Sequence, residues 1–251
     1  MNRRTDRATT GLSGRGPTAG ELNAIPWLEA LSDAERAWVT TSLRIVVADP
    51  GAFVCKMGDR PTCWIGVIEG LVKMSGYAES GRTVTFAGFP PGGWFGEGTI
   101  LKQECYQYYI EVLQKSVLAY LPVEIFGRLL EESIGFNRFL MHQFNQRLGQ
   151  FIAYKAAERT STREERLAAA LATLFDPDLY PNAASMLRIS QQELAYLAGT
   201  TRQQVNESLQ ILRDAGAVQA EYGGVRLLDF ERLRDFQSMS RLPEKPGRPG
   251  A

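Results

Sequence analysis

The segment Ile189–Leu212, ISQQELAYLAGTTRQQVNESLQIL, concentrates the side chains best suited to recognition chemistry. Thr201, Arg202, Gln203, Asn206 and Glu207 all hydrogen-bond, and on a helix they share the outward face. Val205, Leu209 and Leu212 recur at spacings of four and three and form the inward face. An arginine fork matches the O6 and N7 acceptors of guanine. A glutamine or asparagine amide can both donate and accept, and a carboxylate accepts from the amino group of cytosine or adenine. These are the edges that a DNA major groove displays. A solvated helical hairpin would carry the same polar face, and Glu207 could equally be engaged within its own helix by Arg202 or Arg213.

The flanking residues must hold that face rigid. Ser190 is an N-cap, and Glu193 three residues later fits a capping box. Leu194, Ala195 and Ala198 give the first helix a small apolar face, and Gly199 allows a tight turn. A second helix is expected to begin near Thr201. Downstream, Val218–Tyr222, Gly223-Gly224 and Val225–Leu228 predict a strand, a two-residue turn and a strand, the wing of a winged helix-turn-helix. Upstream, Ser161-Thr162-Arg163-Glu164-Glu165 caps a helix running to about Phe175.

The other half of the chain has a different texture. Two short helical segments are expected between Glu21 and Arg44, with Pro26 near one start and Ser32-Asp33-Ala34-Glu35 capping the other. Then come the β-rich runs Ile45–Val47, Ala52–Lys56, Cys63–Glu69, Leu71–Ser75, Arg82–Phe89 and Tyr108–Pro122. Gly- and Pro-rich turns separate them, among them Glu69-Gly70. That punctuation predicts a small antiparallel barrel or jelly roll. From Val123 the period becomes helical. Phe136, Leu140, Phe144, Leu148 and Phe151 make a large apolar stripe, which either packs on the chain's own barrel or forms a two-helix seam with a second copy. The seam is the expectation, because a single reading head is commonly paired by two-fold symmetry.

Composition narrows the class further. The 251 residues carry 28 basic and 28 acidic side chains, so no global field steers the chain onto nucleic acid. From Thr160 onward the count is 11 against 12, so attraction to DNA must come from where individual arginines stand. The cysteines Cys55, Cys63 and Cys105 are odd in number and show no zinc-ligand spacing, as expected of free thiols in a reducing cytoplasm. No apolar run is long enough to span a membrane, and Met1–Gly20 lacks the apolar core of a secretory signal. A jelly-roll enzyme of the cupin type would need clustered histidines, and His142 is the only histidine.

A barrel, a long helix and a winged helix-turn-helix, in that order, resemble the CRP/FNR family of bacterial transcription regulators. The likeness runs over roughly Glu21 to Phe236. It rests on Pro50-Gly51 with Gly58-Asp59, Ile68-Glu69-Gly70, Trp94-Phe95-Gly96-Glu97, Leu118-Ala119-Tyr120-Leu121 with Phe126, and the helix-turn-helix. The resemblance implies an α+β fold: a cyclic-nucleotide-binding-type jelly roll at residues 21–125, a dimerisation helix at 126–158 and a DNA-binding winged helix at 159–240. Residues 1–20 and 241–251 are expected as flexible tails. It further implies a cytoplasmic homodimer, not an enzyme, that binds an imperfect palindrome in double-stranded promoter DNA and contacts RNA polymerase. Arg202, Gln203 and Glu207 fall on the family's base-reading positions.

The same alignment predicts what the barrel does not bind. Gly96 and Glu97 match the family's Gly-Glu pair. The phosphate-holding Arg-Ser falls on Tyr106 and Gln107, and the base-contacting Thr-Ser pair falls on Phe151 and Ile152. Losing the charge-assisted phosphate contact disfavours cyclic AMP. Met1–Ala24 has no cysteine cluster for iron–sulfur, and His142 reads as a helix-surface residue rather than a haem ligand. An unidentified small-molecule effector is therefore expected, at a pocket formed by Gly96, Glu97, Tyr106, Gln107, Phe151 and Ile152. Tyr106, Tyr108 and Tyr109 either line that pocket or simply fill the barrel. A thiol switch at the cysteines, or regulation without any effector, are the alternatives.

Overall fold

The computed structural model describes residues 14–78, 81, 83–158 and 162–238, without the side chains of 153–158 and 237–238. Residues 1–13, most of the first expected tail, and all of the second lie outside the described residues. The chain divides into two compact units. One is built from the segments up to Met74 and from Phe89–Met141, the other from Ser75–Gly88 and from His142 onward.

The first unit begins with helices whose starts are written in four-residue signals. Thr18 and Glu21 form a capping box for α1 (Ala19–Asn23), and Ser32 and Glu35 form another for α2 (Asp33–Ser42). A 3₁₀ turn, Pro26–Ala30, lies between them with proline at its first position. Residues 14–20, expected as part of a tail, are instead tied down. Arg15 exchanges two backbone hydrogen bonds with Ile45, and its guanidinium pairs with Glu21. That contact holds the Glu21 carboxyl down at about 2.

Strands β1 (Arg44–Ala48), β2 (Phe53–Cys55), β3 (Cys63–Tyr77), β4 (Thr83–Phe89), β5 (Trp94–Phe95) and β6 (Tyr109–Pro122) follow along the chain, with a short helix α3 (Glu97–Lys102) after β5; the end of β3 and β4 as far as Gly88 belong to the second unit. The sheet order is β1-β6-β3-β4, with β2 beside β6 and β5 beside β3. The expected turn at Glu69-Gly70 is absent, and β3 continues through it. Gly70 holds φ of 97°, and a Cβ there would stand 2.2 Å from the Ser116 hydroxyl of β6, so the glycine serves a close approach of β6 and the strand does not reverse.

Every residue of β3 from Cys63 to Ile68 is buried, because both faces of the strand are covered. Trp64 and Ile68 join the helical layer. There Trp27, Trp64, Trp94, Phe126 and Phe136 form one aromatic cluster, with ring centroids 4.3 Å apart for Trp64–Trp94 and 5.5 Å for Trp27–Phe136. Helix α4 (Val123–Glu132) and helix α5 (Ile134–Glu158) are separated at Ser133, which leaves helical geometry and accepts from the Phe136 amide. The single helix expected over 126–158 is thus two.

In the second unit, α6 (Arg163–Leu174) begins at a Thr162/Glu165 capping box. It packs with α7 (Gln191–Leu197), α8 (Arg202–Asp214) and α9 (Phe230–Ser238) over Leu167, Leu171, Leu194, Val205, Leu209, Leu212 and Leu233. Strands β7 (Met186–Leu187), β8 (Val218–Glu221) and β9 (Gly224–Leu227) form a sheet in the order β7-β9-β8. The wing turn is Tyr222-Gly223, one residue earlier than the Gly223-Gly224 expected. Gly224 already pairs with Glu221, and a Cβ on it would lie 2.2 Å from the Leu187 carbonyl of β7, which the sequence pattern did not reveal.

Candidate functional site

Helices α7 and α8 make the turn that the sequence pattern requires. Ser190 accepts from the Glu193 amide, Gly199 has φ of 60°, and Thr201 caps α8. Val205, Ser208, Leu209 and Leu212 are buried, and this anchors the helix along one side. Thr201, Arg202, Gln203, Asn206 and Glu207 are all exposed on the other. Thr201 has a structural task as well. Its hydroxyl accepts from the Gln204 amide, while the Gln204 side chain accepts from the Thr201 amide and, at 2.5 Å, from the Thr200 hydroxyl.

Two of the outward side chains are held from other helices. Gln191 of α7 donates to the Asn206 side-chain oxygen at 3.3 Å. Arg163 of α6 lies 3.6 Å from one oxygen of Glu207, and Gln203 donates to the other at 3.1 Å. The partner of Glu207 is therefore neither Arg202 nor Arg213, the alternatives open from sequence; Arg213 pairs with Asp214. Gln191, Gln204 and Arg163 were missed by sequence reasoning. Gln204 could have been found, since Thr201 and Gln204 have capping-box spacing. Arg163 offered a subtler sign, a cation at the first position of a helix. The other contacts are long-range and leave no local signature.

In the first unit, the residues matching a cyclic-nucleotide pocket make contacts of their own within the barrel. The Trp64 indole donates to Glu97 at 3.1 Å, and Glu97 is buried. Tyr106 is only 3% exposed, and its hydroxyl lies 3.4 Å from where a Cβ on Gly96 would stand. Burial pushes the Tyr106 phenol well above its ordinary range, so it is neutral. Gln107 is exposed, its amide donating to the Cys105 carbonyl. Tyr108 shares a hydrogen bond with Thr99 and packs edge-on against Tyr106. Neither Tyr106 nor Gln107 carries a charge that could neutralise a cyclic phosphate beside Gly96 and Glu97. Phe151 and Ile152, expected in the same pocket, lie on α5 in the second unit, both exposed.

A separate cleft of about 340 Å³ opens beside Tyr106, lined by Val54, Cys55, Asp59, Arg60, Cys63 and Tyr120 among others but by neither Gly96 nor Glu97. Burial raises the Cys55 thiol to about 12 and the Cys63 thiol to about 11. Both therefore stay protonated at neutral pH, the state in which a thiol is a poor nucleophile.

The apolar stripe of α5 divides. Phe136 and Leu140 are buried in the first unit's own core, against Trp27, Trp64 and Phe126, so they are not part of an exposed seam. Phe144, Leu148 and Phe151 remain 38%, 56% and 58% exposed, and Ile152 is 60% exposed beside them. His142 is exposed on the same helix. No helix among the described residues is long and apolar enough to cross a membrane.

Comparison with known proteins agrees with both halves of this geometry. Residues 45–133 match the cyclic nucleotide-binding domain model, and residues 165–236 match the Crp-like helix-turn-helix domain model. The chain is 31% identical over 174 residues to the transcriptional regulator SdrP of Thermus thermophilus, spanning 68% of this chain and 81% of that one. Among solved structures, TTHA1359, a CRP/FNR-family transcriptional regulator also from Thermus thermophilus, is 25% identical with a TM-score of 0.56. That match covers 78% of this chain and 98% of the other. FixK2 from Bradyrhizobium japonicum shares the fold at a TM-score of 0.62 and 16% identity, over 77% and 96% of the two chains.

Proposed function

Because the chain belongs to the CRP/FNR family of transcription regulators, we propose that it works as a cytoplasmic homodimer that reads an imperfect palindrome in promoter DNA through α8 and acts there on RNA polymerase. The observation that carries this reading is the outward face of α8. Four of its polar side chains, Arg202, Gln203, Asn206 and Glu207, are exposed on a helix whose opposite side is locked into the core. Arg202 stands at the first position of α8, where an extended guanidinium can span guanine O6 and N7. Glu207, one turn further on, accepts from a cytosine or adenine amino group. A two-fold pair of such helices fits successive major grooves about 34 Å apart.

We further propose that the regulator binds its operator without cyclic AMP. Two observations support this: the Glu97 carboxylate accepts from the Trp64 indole, and the buried, uncharged Tyr106 stands where the family's phosphate-holding arginine would be. Selection from randomised duplexes, followed by titration of the selected site with and without cyclic AMP, tests both statements. A palindromic site bound equally well in both conditions is expected. Failure to select any sequence would overturn the DNA reading, and low-micromolar heat of binding for cyclic AMP would overturn the second statement. The cleft lined by Arg60, Asp59, Cys55, Cys63, Tyr106 and Tyr120 favours one other reading, a small effector with an anionic group facing Arg60. Native mass spectrometry of the purified protein tests it, and bare protein together with operator binding would discard it.

A further inference from the structure

Arg163 occupies the first position of α6, directly after the Thr162 cap. A cation there faces the positive end of the helix macrodipole and the unpaired amides of the first turn, so the helix itself gains nothing from it. Glu164 and Glu165 obey the local rule, while Arg163 breaks it. Breaches of this kind gather at functional positions. The side chain has its carboxylate partner on another helix. It reaches across to α8 and lies 3.6 Å from Glu207.

Glu207 is an awkward residue for a helix that enters a DNA groove. Its carboxylate approaches a polyanion, and in a flexible rotamer it would swing toward solvent and away from the bases. Two groups restrain it. The Gln203 amide donates to one oxygen within the same helix, and Arg163 faces the other from a different helix. Each carboxylate oxygen has a second lone pair, so both restraints leave acceptor capacity free. Arg163 also brings a compensating positive charge to the place where the carboxylate would otherwise be repelled by phosphates. In the unbound protein this pair is more than half exposed on both sides, so it adds little to folding. Its consequence is felt when water leaves the groove.

We propose that Arg163 is a positioning residue for sequence readout: it orients and neutralises Glu207 so that the carboxylate can accept from a base amino group, and it thereby sets specificity at the base pair that Glu207 reads. The inference rests on the DNA reading of α8. It differs from a phosphate contact, which would raise affinity for every sequence alike.

The experiment compares the full-length wild type with Arg163→Ala, Arg163→Lys, Glu207→Ala, Arg202→Ala and the Arg163→Ala/Glu207→Ala double variant, each by operator selection and by salt-dependent titration on matched and mismatched duplexes. Arg163→Ala is expected to lower discrimination at the Glu207 base pair by roughly tenfold, near the low end of what a good base contact supplies. Glu207→Ala should lower it at the same base pair, and the double variant should lose no more than Glu207→Ala alone, because the two residues act as one unit. Arg163→Lys, which keeps the charge, should recover part of the preference. A uniform loss of affinity across all sequences with a salt slope reduced by about one would mark Arg163 as a plain phosphate contact and overturn the proposal. So would additive effects in the double variant. If Glu207→Ala also leaves the selected sequence unchanged while Arg202→Ala alters it, the role of Glu207 fails along with this proposal and the reading of α8 survives. If no variant, wild type included, prefers any sequence, the DNA reading itself has failed.

Discussion

Replacing Leu148 by glutamate separates the exposed part of the α5 stripe from its buried part. Full burial of a leucine is worth about 1.5–3 kcal/mol, and Leu148 is still 56% exposed in the single chain. Packing it against a second copy therefore leaves about 1–1.5 kcal/mol to be gained on each side. Two-fold symmetry counts every interface residue twice, so the apolar loss alone is about 2–3 kcal/mol. Desolvating two unpaired carboxylates brings the cost to at least about 4 kcal/mol, a dimer about a thousandfold weaker. The fold of each chain should barely change, because the position is exposed. Phe136→Ala is the control at the other end of the stripe. It removes a ring buried against Trp27, Trp64 and Phe126 and should cost about 3–5 kcal/mol of unfolding free energy. Sedimentation velocity over a range of concentrations, together with urea unfolding, reads both quantities. Leu148→Glu should sediment as a folded monomer with weakened operator binding, and Phe136→Ala should unfold at markedly lower urea. A Leu148→Glu protein that dimerises as tightly as the wild type would refute the reasoning and place the two-fold contact elsewhere.

Two further outcomes follow from other parts of the molecule. Arg202→Ala should cost about 1–3 kcal/mol at a matched site and relax the preference at one base pair in each half-site; an unchanged selected sequence would remove Arg202 from base readout. Cys55 and Cys63 are held neutral by burial, at about 12 and about 11, against about 8.5 in an unfolded chain. Their contribution to stability is thus fully present below pH ~8.5 and is lost as pH rises through the folded values, in the same direction as the raised phenols of Tyr106 and Tyr120. Urea midpoints should fall between pH ~8 and ~10.5, and less steeply in a Cys55→Ala/Cys63→Ala protein. Equal slopes would show that the thiols are not the groups titrating.

What the sequence made legible is what short-range chemistry controls. The caps at Ser32 and Thr162 each have their glutamate three residues on, and each opens a helix where the spacing places it, whereas Thr18 and Glu21 form the same box within and beside a stretch expected as a tail. The period of Val205, Leu209 and Leu212 gives the buried side of α8, and so the exposed side too. The stripe on α5 shows where periodicity stops being informative. It marks Phe136 and Phe151 alike as apolar and facing one way, but it cannot say what covers them. The answer for Phe136 lies in Trp27 and Trp64, tens of residues upstream, which meet it only once β3 has placed Trp64 on the helical side of the sheet. The surroundings of the barrel's Gly-Glu pair are equally hidden from local pattern. Glu97 and its donor Trp64 are 33 positions apart, so a matched Gly-Glu pair carries no local sign that an indole already donates to the carboxylate. Gly70 and Gly224 extend the point to the backbone. Both look like turn residues, and both sit within strands, because what each accommodates is a neighbouring strand or side chain that would stand 2.2 Å from a Cβ, and not a reversal of its own. A residue's type states what contact it can make. Only the packing of distant segments decides whether that contact is left for a ligand, a second copy or DNA.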